Sequence, residues 1–418
     1  MDMGQWSASG ASGALMGLET GSELGETDQP LGAIIFGGTH GSLSVARSLG
    51  RRGIPVWLIE TGRGVAGFSR YVQKRLRWDG PDSAGAVDWL IDLADRHGLG
   101  RWLLYPAADP ETHFVAANHE RLSVRFRVNT MPWRILETAQ DKSLLYKRAA
   151  ELGLAYPKSY MPDAETGAGP SPERFPVVIK PAMRESDNPL TTAKAWRADD
   201  AQSYARLYNE ARKYLPAEDI VVQEMIPGGG EVQFSYAALW HRGRPVASMV
   251  TRRTRQYAVV FGTGTFVETI DKPEIEDVAV RLLKSFAYHG LVEVEFKLDT
   301  RDGQYKVLDA NTRTWAWIGL GEPAGVDFPW LAWRMEMGDV PELKRGRAGA
   351  SWRHLPRDIL AGLHEVRSGR MSAGALVDSL LRKSTGAVLA FDDPVPAFVD
   401  VPLVTPRLLR RVMRRLAG

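Results

Sequence analysis

Ala33-Ile34-Ile35-Phe36 is an unbroken apolar run, followed by Gly37-Gly38-Thr39-His40-Gly41 and then by apolar positions at Val45, Ala46 and Leu49. An apolar run, a glycine turn and helical spacing predict a buried strand feeding a helix, which Gly53 closes. A second apolar run at 54–60 completes a strand–helix–strand unit. A helix around 87–97 and a strand at 102–105 continue the alternation, so 31–130 reads as a small parallel-sheet domain. Residues 1–30 are rich in Gly, Ser and Ala with scattered acids and no periodicity, and are expected to form a disordered tail.

The pattern then changes. Residues 141–152 form a helix with Gly153 just past its end and Pro157 beyond. Short strands are expected at 177–180 and 220–224, and strands at 233–239 and 246–250 flank a His-Arg-Gly-Arg turn. Residues 275–288 are helical, and 292–298 with 305–310 form a hairpin around 300–304. Antiparallel strands mixed with helices indicate an α+β region. A mostly helical segment is expected over 346–418, interrupted at Asp392-Asp393-Pro394. At its end Leu409, Val412, Met413 and Leu416 keep helical spacing among arginines. Such a helix suits docking on its own protein, the preferred reading, or peripheral contact with an anionic membrane.

Composition narrows the class. The 418 residues are enough for two or three packed units, and 44% hydrophobic with 25% charged residues is ordinary for a globular protein. No apolar run is long enough to span a bilayer, and no basic-then-apolar leader opens the chain, so a cytoplasmic protein is expected. The absence of cysteine excludes disulfides, Cys–zinc sites, iron–sulfur clusters and a thiol nucleophile. The net charge of +3 is smaller than the contribution of Arg407, Arg410, Arg411, Arg414 and Arg415, so the rest of the chain is slightly acidic. No nucleic-acid partner is expected of that body.

Gly38 and Gly41 have the spacing of the last two glycines of a dinucleotide fingerprint, with Glu60 where a ribose-binding acid would sit, but Phe36 occupies the first glycine position. A tight turn with close helix–strand packing is the preferred reading; a nicotinamide-dependent oxidoreductase is the alternative. Lys142 follows the N-cap residue Asp141, where a cation opposes the helix dipole. It either reaches water or meets an anion such as a phosphate. Lys180 ends an apolar strand with the same two options. Glu293, Glu295 and Lys297 share a strand face, and a 300–304 loop sets Glu295 opposite Asp309, with Asn311 two residues on; a shift of two puts Glu293 there instead. Facing carboxylates repel unless a cation or proton lies between them, and this oxygen set suits Mg²⁺. Arg313 projects from the same neighbourhood and could stabilise a developing anion. On 251–257, Arg253 and Arg255 share a face and offer forks for a substrate carboxylate, or else they line a solvated edge strand. His40 and Asp109 are candidates to face a cleft, and of Trp315 and Trp317 one is expected in the core.

Asp-Lys at a helix start, Val-Ile-Lys on a strand, Gln-Glu-Met-Ile, Val-Glu-Phe and Asp-Ala-Asn-Thr-Arg occur in one order. That order, over about 31–346, resembles the ATP-grasp superfamily, and the stretch 141–160 is similar to its carboxylate–amine ligase branch. The resemblance implies an α/β plus α+β fold: a Rossmann-like domain at 31–130, an ATP-grasp domain at 131–345 with a lid at about 155–225, and the C-terminal segment. It implies ATP and Mg²⁺, with Mn²⁺ as a substitute. Lys142 and Lys180 would meet the phosphates. Gln223, Glu224 and Ile226 would form the adenine hinge, with the Gln223 and Ile226 backbones reading its edge, and Glu231 would meet the ribose. Glu295, Asp309 and Asn311 would hold metal, and Arg313 would sit near an acyl phosphate. The implied activity joins a small-molecule carboxylate to an amine; a homodimer is compatible with it. Two features depart from the family. Asp309 stands where Glu is common, and 183–193 lacks a glycine-rich phosphate loop, leaving Lys194 or the backbone near Thr191-Thr192 to cover the phosphates. A non-catalytic nucleotide-binding protein is therefore a further alternative.

Overall fold

Three sheets organise the chain, described over residues 30–160, 169–182, 188–257 and 262–403 in this computed structural model. The expected N-terminal tail up to residue 29 and the arginine-rich end from 404 lie outside the described residues.

The first sheet is parallel, in the order β3-β2-β1-β4-β5. Its elements are β1 (Ala33–Phe36), α1 (His40–Gly50), β2 (Val56–Glu60), β3 (Lys74–Arg77), α2 (Ala86–His97), β4 (Leu103–Pro106), α3 (Asp109–Ala117), α4 (His119–Ser123) and β5 (Arg127–Val128). β1 is buried along its whole length because helices cover both faces, hence its unbroken apolar run. The strand order reverses between β1 and β4, so the loops leaving them open a crevice at that end of the sheet. Thr314 N donates to Pro106 O there at 3.2 Å, joining this domain to the next.

The glycine turn serves packing. Gly37 has φ +86°, and a Cβ on Gly38 would lie 2.1 Å from Glu60 Oε2 and 2.8 Å from Gly64 Cα. Glu60 is buried, accepts from Gly64 N at 2.9 Å and pairs with Arg75. Its carboxylate is therefore spent inside the domain and the space above Gly38 is filled, which leaves the dinucleotide alternative without its ribose acid.

Helices α5 (Trp133–Gln140) and α6 (Lys142–Glu151) lead to a four-stranded antiparallel sheet, order β6-β9-β7-β8. It comprises β6 (Ser159–Tyr160), β7 (Val177–Pro181), β8 (Trp196–Ala198) and β9 (Ile220–Glu224), with α7 (Pro189–Ala193) and α8 (Ala201–Ala211). Val177, Ile179, Ile220 and Val222 pack against Tyr208 and Ala211 of α8. The opposite face carries Val178, Lys180, Val221 and Gln223, in register across β7 and β9.

The largest sheet runs β14-β13-β10-β11-β12-β16-β17, with β15 alongside β11. Its strands are β10 (Gln233–His241), β11 (Arg244–Tyr257), β12 (Thr263–Ile270), β13 (Gly290–Asp299), β14 (Gln304–Asn311), β15 (Lys344–Arg345), β16 (Ser351–Arg353) and β17 (Thr385–Gly386). α9 (Pro273–Lys284) packs on one face, while α10 (Gly321–Ala324) and α11 (Phe328–Glu336) belong to the core shared with the first domain. Trp315 and Trp317 both lie in that shared core, where one was expected. The C-terminal segment holds α12 (Leu355–Arg367), α13 (Ala373–Leu381) and helical residues at 395–403. It is not purely helical, since β16 and β17 extend the large sheet. Arg47 of α1 fastens it by pairing with Asp393 at 2.9 Å and donating to Val388 O at 2.7 Å. Among the described residues no helix is long and apolar enough to cross a membrane.

Candidate active site

The cleft lies between the polar face of the four-stranded sheet and the β13–β14 hairpin. Asp141 caps α6 by accepting from Leu144 N at 2.9 Å, which fixes Lys142 in the first turn. Lys142 is 7% exposed, so it does not reach water; its Nζ lies 3.4 Å from Asp309 Oδ1 and donates to Ala182 O at 3.4 Å. One turn on, the Tyr146 hydroxyl lies 2.9 Å from Leu308 O and 3.3 Å from Gln223 Oε1, and accepts from Lys180 Nζ at 2.9 Å. Burial and the Asp309 and Glu295 charges push the Tyr146 pKa well up, so it stays a neutral phenol beside Lys180.

Glu295 pairs with Asp309 and Glu293 with Asn311, as expected, but by another route: Gln304 already pairs with Asp299, so the loop is one residue shorter than 300–304, and a bulge between Glu295 and Phe296 restores the pairing. Asn311 Nδ2 donates to Glu295 at 3.2 Å and to Glu293 at 3.4 Å, while its Oδ1 accepts from Arg313 Nη2 at 3.1 Å. Arg253 Nη2 lies 3.2 Å from Glu295 Oε1, Ser235 Oγ donates to Glu293 at 2.8 Å, and Arg313 pairs with Asp109 of the first domain. Carboxylates at 109, 293, 295 and 309 thus face cations at 142, 253 and 313. Burial, and then the Glu295 charge, push the Glu293 pKa up from 4.5 to about 7. A cation bound beside it would relieve the same repulsion and bring that pKa back down.

That shift gives a pH-dependent stability. The folded chain holds the Glu293 proton more tightly than the unfolded chain, so the group favours folding below about pH 4.5, and this is lost as pH rises through about 7. Without divalent cations, the melting temperature of the native chain should fall relative to Glu293→Gln between about pH 5 and about pH 8. Parallel pH profiles for the two proteins would remove this titration from the account.

Several expected residues sit differently. Arg255 does not share the cleft face with Arg253, because β11 bulges between them. Arg255 instead forks onto Asp358, at 2.8 and 2.6 Å. Nor is β11 an edge strand, since β10 and β12 flank it. The Gln223 backbone lies inside the ladder, paired with Ser159 and Val178, so it is not free to read a base edge; its side chain faces Tyr146. The Glu224 carboxylate is held by Lys306 at 2.9 Å and Arg301 at 2.6 Å, which ties β9 to the hairpin tip. Ile226 O accepts from Lys297 Nζ at 2.9 Å, and Glu231 turns back onto Gly229 N at 2.8 Å. Lys194, at the end of α7, reaches Thr263 Oγ1 of β12 at 3.2 Å. A cavity of about 690 Å³ opens beside β9 and the hairpin tip, with Tyr146, Tyr156, Val221 and Lys306 among its walls. Two contributors were not foreseen. Tyr146 was signalled by its four-residue spacing from Lys142, and Ser235 by a lone hydroxyl within an apolar strand.

No family model matches the sequence. D-aspartate ligase of Enterococcus faecium (strain Aus0004) is 23% identical over 234 residues, covering 51% of this chain and 53% of that protein. The chain therefore spans about half the length of this curated relative. The crystal structure of L-amino acid ligase from Bacillus licheniformis superposes with a TM-score of 0.56 at 16% identity, covering 74% of this chain and 75% of that one. The biotin carboxylase domain of Hydrogenobacter thermophilus 2-oxoglutarate carboxylase, in complex with MgADP and bicarbonate, gives 0.59 at 15%, covering 77% and 74%. The chain has the ATP-grasp fold.

Proposed function

We propose that the chain is a Mg-ATP-dependent ligase that activates a carboxylate as an acyl phosphate and joins it to an amine, releasing ADP and phosphate. The observation that carries this reading is the convergence of Lys142 on α6 and Lys180 on β7 with Glu295, Asp309, Asn311 and Arg313 in one cleft. The D-aspartate and L-amino acid ligases to which the chain is similar support it.

The acid cluster fits a hard divalent cation: carboxylates of Glu295 and Asp309 face each other, and a proton partly neutralises Glu293 beside them. Asn311 would contribute its carbonyl only after its amide turns over, exchanging its present bonds to the two glutamates. When bound, Mg²⁺ would neutralise phosphate charge. Lys142 and Lys180 would hold the phosphate oxygens in line while a substrate carboxylate oxygen attacks the γ-phosphorus and the bond to ADP breaks. The amine then attacks the acyl carbon, loses a proton and expels phosphate, with Arg313 beside the developing oxyanion. Arg253 becomes available to a substrate anion once a cation engages Glu295. Closing the lid excludes the water that would hydrolyse the acyl phosphate.

The test is ADP release by the purified full chain with Mg-ATP and pooled amino acids and small carboxylates. Release stimulated by the pool, dependent on Mg²⁺ and lost in Lys180→Ala, is the expected result. ATP binding with no stimulated release would favour a non-catalytic nucleotide-binding protein, and no ATP binding would overturn the reading.

A further inference from the structure

His40, His354 and Asp400 come from three distant parts of the chain: the first residue of α1, the residue before α12, and the helical stretch 395–403. His40 Nε2 lies 3.0 Å from Asp400 Oδ1 and 3.1 Å from His354 Nε2, and His354 Nε2 lies 3.1 Å from Asp400 Oδ2. Asp400 and His354 are 2% and 1% exposed, and the His40 side chain 13%.

Protons satisfy this group only at a cost. Each imidazole Nε2 offers one site, either an N–H or a lone pair. His40 Nε2 has two partners for that one site. If it donates to Asp400, it cannot accept from His354; if it accepts from His354, Asp400 Oδ1 faces a nitrogen without a proton. If both rings instead donate to Asp400, whose buried Oδ2 lies 3.1 Å from His354 Nε2, the two Nε2–H groups stand 3.1 Å apart, donor against donor. Opposed donors, like a buried carboxylate oxygen without a donor, are costly. A cation inside the triangle replaces all three conflicting contacts at once. Ligand atoms about 2.0–2.2 Å from one tetrahedral ion stand about 3.3–3.6 Å apart, a few tenths of an ångström wider than the contact between the two rings and that of each ring with its nearer Asp400 oxygen.

We propose that His40, His354 and Asp400 form a transition-metal site of the zinc class, separate from the ATP cleft, that clasps the C-terminal segment to the first domain. Two imidazoles and one carboxylate are borderline ligands that suit Zn²⁺ better than Mg²⁺, unlike the all-oxygen set of the cleft. A neutral His40 ring with its proton on Nδ1 has the Nε2 lone pair to give. Partial exposure of His40 leaves room for water at a fourth position. The metal acts beside the Arg47–Asp393 pair, which already joins α1 to the same segment. One bond is exchanged. Arg357 N donates to His354 Nδ1 at 3.4 Å, and a neutral ring ligating through Nε2 carries its proton on Nδ1, so metal binding breaks this long contact.

The full chain is loaded with Zn²⁺, dialysed exhaustively and assayed for metal, and a Co²⁺-loaded sample is examined for visible absorption. A Glu295→Gln/Asp309→Asn protein serves as the control without the two facing carboxylates of the cleft. Native and control proteins should each retain about one zinc per chain, and chelation should lower the melting temperature of both. His40→Gln and Asp400→Asn should each lose the zinc, the cobalt absorption and the response to chelator. His40→Gln, at the more exposed corner, remains informative if Asp400→Asn fails to fold. Less than about a tenth of a zinc per native chain, or undiminished zinc in His40→Gln, overturns the proposal.

Discussion

Asp309→Asn should lower ATP-dependent turnover about 10³-fold, or about 4 kcal/mol of transition-state stabilisation, and Asp309→Glu should restore most of it. Asp309 stands opposite Glu295 on the hairpin and 3.4 Å from Lys142. Neutralising it removes one of the two facing carboxylates and so weakens the hold on any cation between them. The same change strands the Lys142 ammonium, which is 7% exposed, and should cost about 1–3 kcal/mol of stability. A second substitution separates the two effects. Lys142→Met with Asp309→Asn removes the stranded charge, so it should recover stability while turnover stays low. Mg²⁺ titrations of ADP release, alongside denaturant unfolding, read both quantities. If Asp309→Asn keeps turnover within about tenfold of the native chain, the acid cluster is structural and the proposed chemistry lies elsewhere.

The contacts readable from sequence are those set by local rules. The position of Lys142 follows from the Asp141 cap, whereas the Glu295–Asp309 pair, expected from a loop one residue longer than the one found, is reached through a bulge beside Glu295. Gly38 could be read as a packing glycine because the fingerprint lacked its first member, and the close approach of Glu60 and Gly64 explains why no side chain fits there. What escaped depends on departures from period or on remote chain. The bulge in β11 sends Arg253 and Arg255 to different partners, a change that no count of alternating positions can register. Glu224 looked like a hinge ligand, but its partners Arg301 and Lys306 belong to a hairpin far along the chain. The strands β16 and β17 are three and two residues long, too short for a periodic signal. His40 and Asp400 are separated by 360 positions, so only the tertiary fold brings them together.

Arg255→Met should destabilise the fold by about 3–5 kcal/mol without altering substrate affinity in the protein that remains folded. Arg255 is 1% exposed and Asp358 fully buried; the guanidinium forks onto the carboxylate and donates to Ser379 Oγ at 2.8 Å. Truncation leaves a buried carboxylate with Thr265 Oγ1 at 3.0 Å and Arg353 Nε at 3.4 Å, weaker partners than the fork. Arg353 lies with Arg255 near the Phe266 ring, so part of the neutralising charge survives, and the loss belongs at the lower end of that range. Replacing both partners, Arg255→Met with Asp358→Leu, removes the stranded charge and should recover much of the stability. Denaturant midpoints of the two single variants and the double variant measure the coupling directly. The same proteins decide between two roles for Arg255. A substrate-binding arginine would raise KM when removed, in the double variant as in the single one. A strut between β11 and α12 would shift only the unfolding midpoint, and the bulge that turns Arg255 away from Glu295 favours the strut.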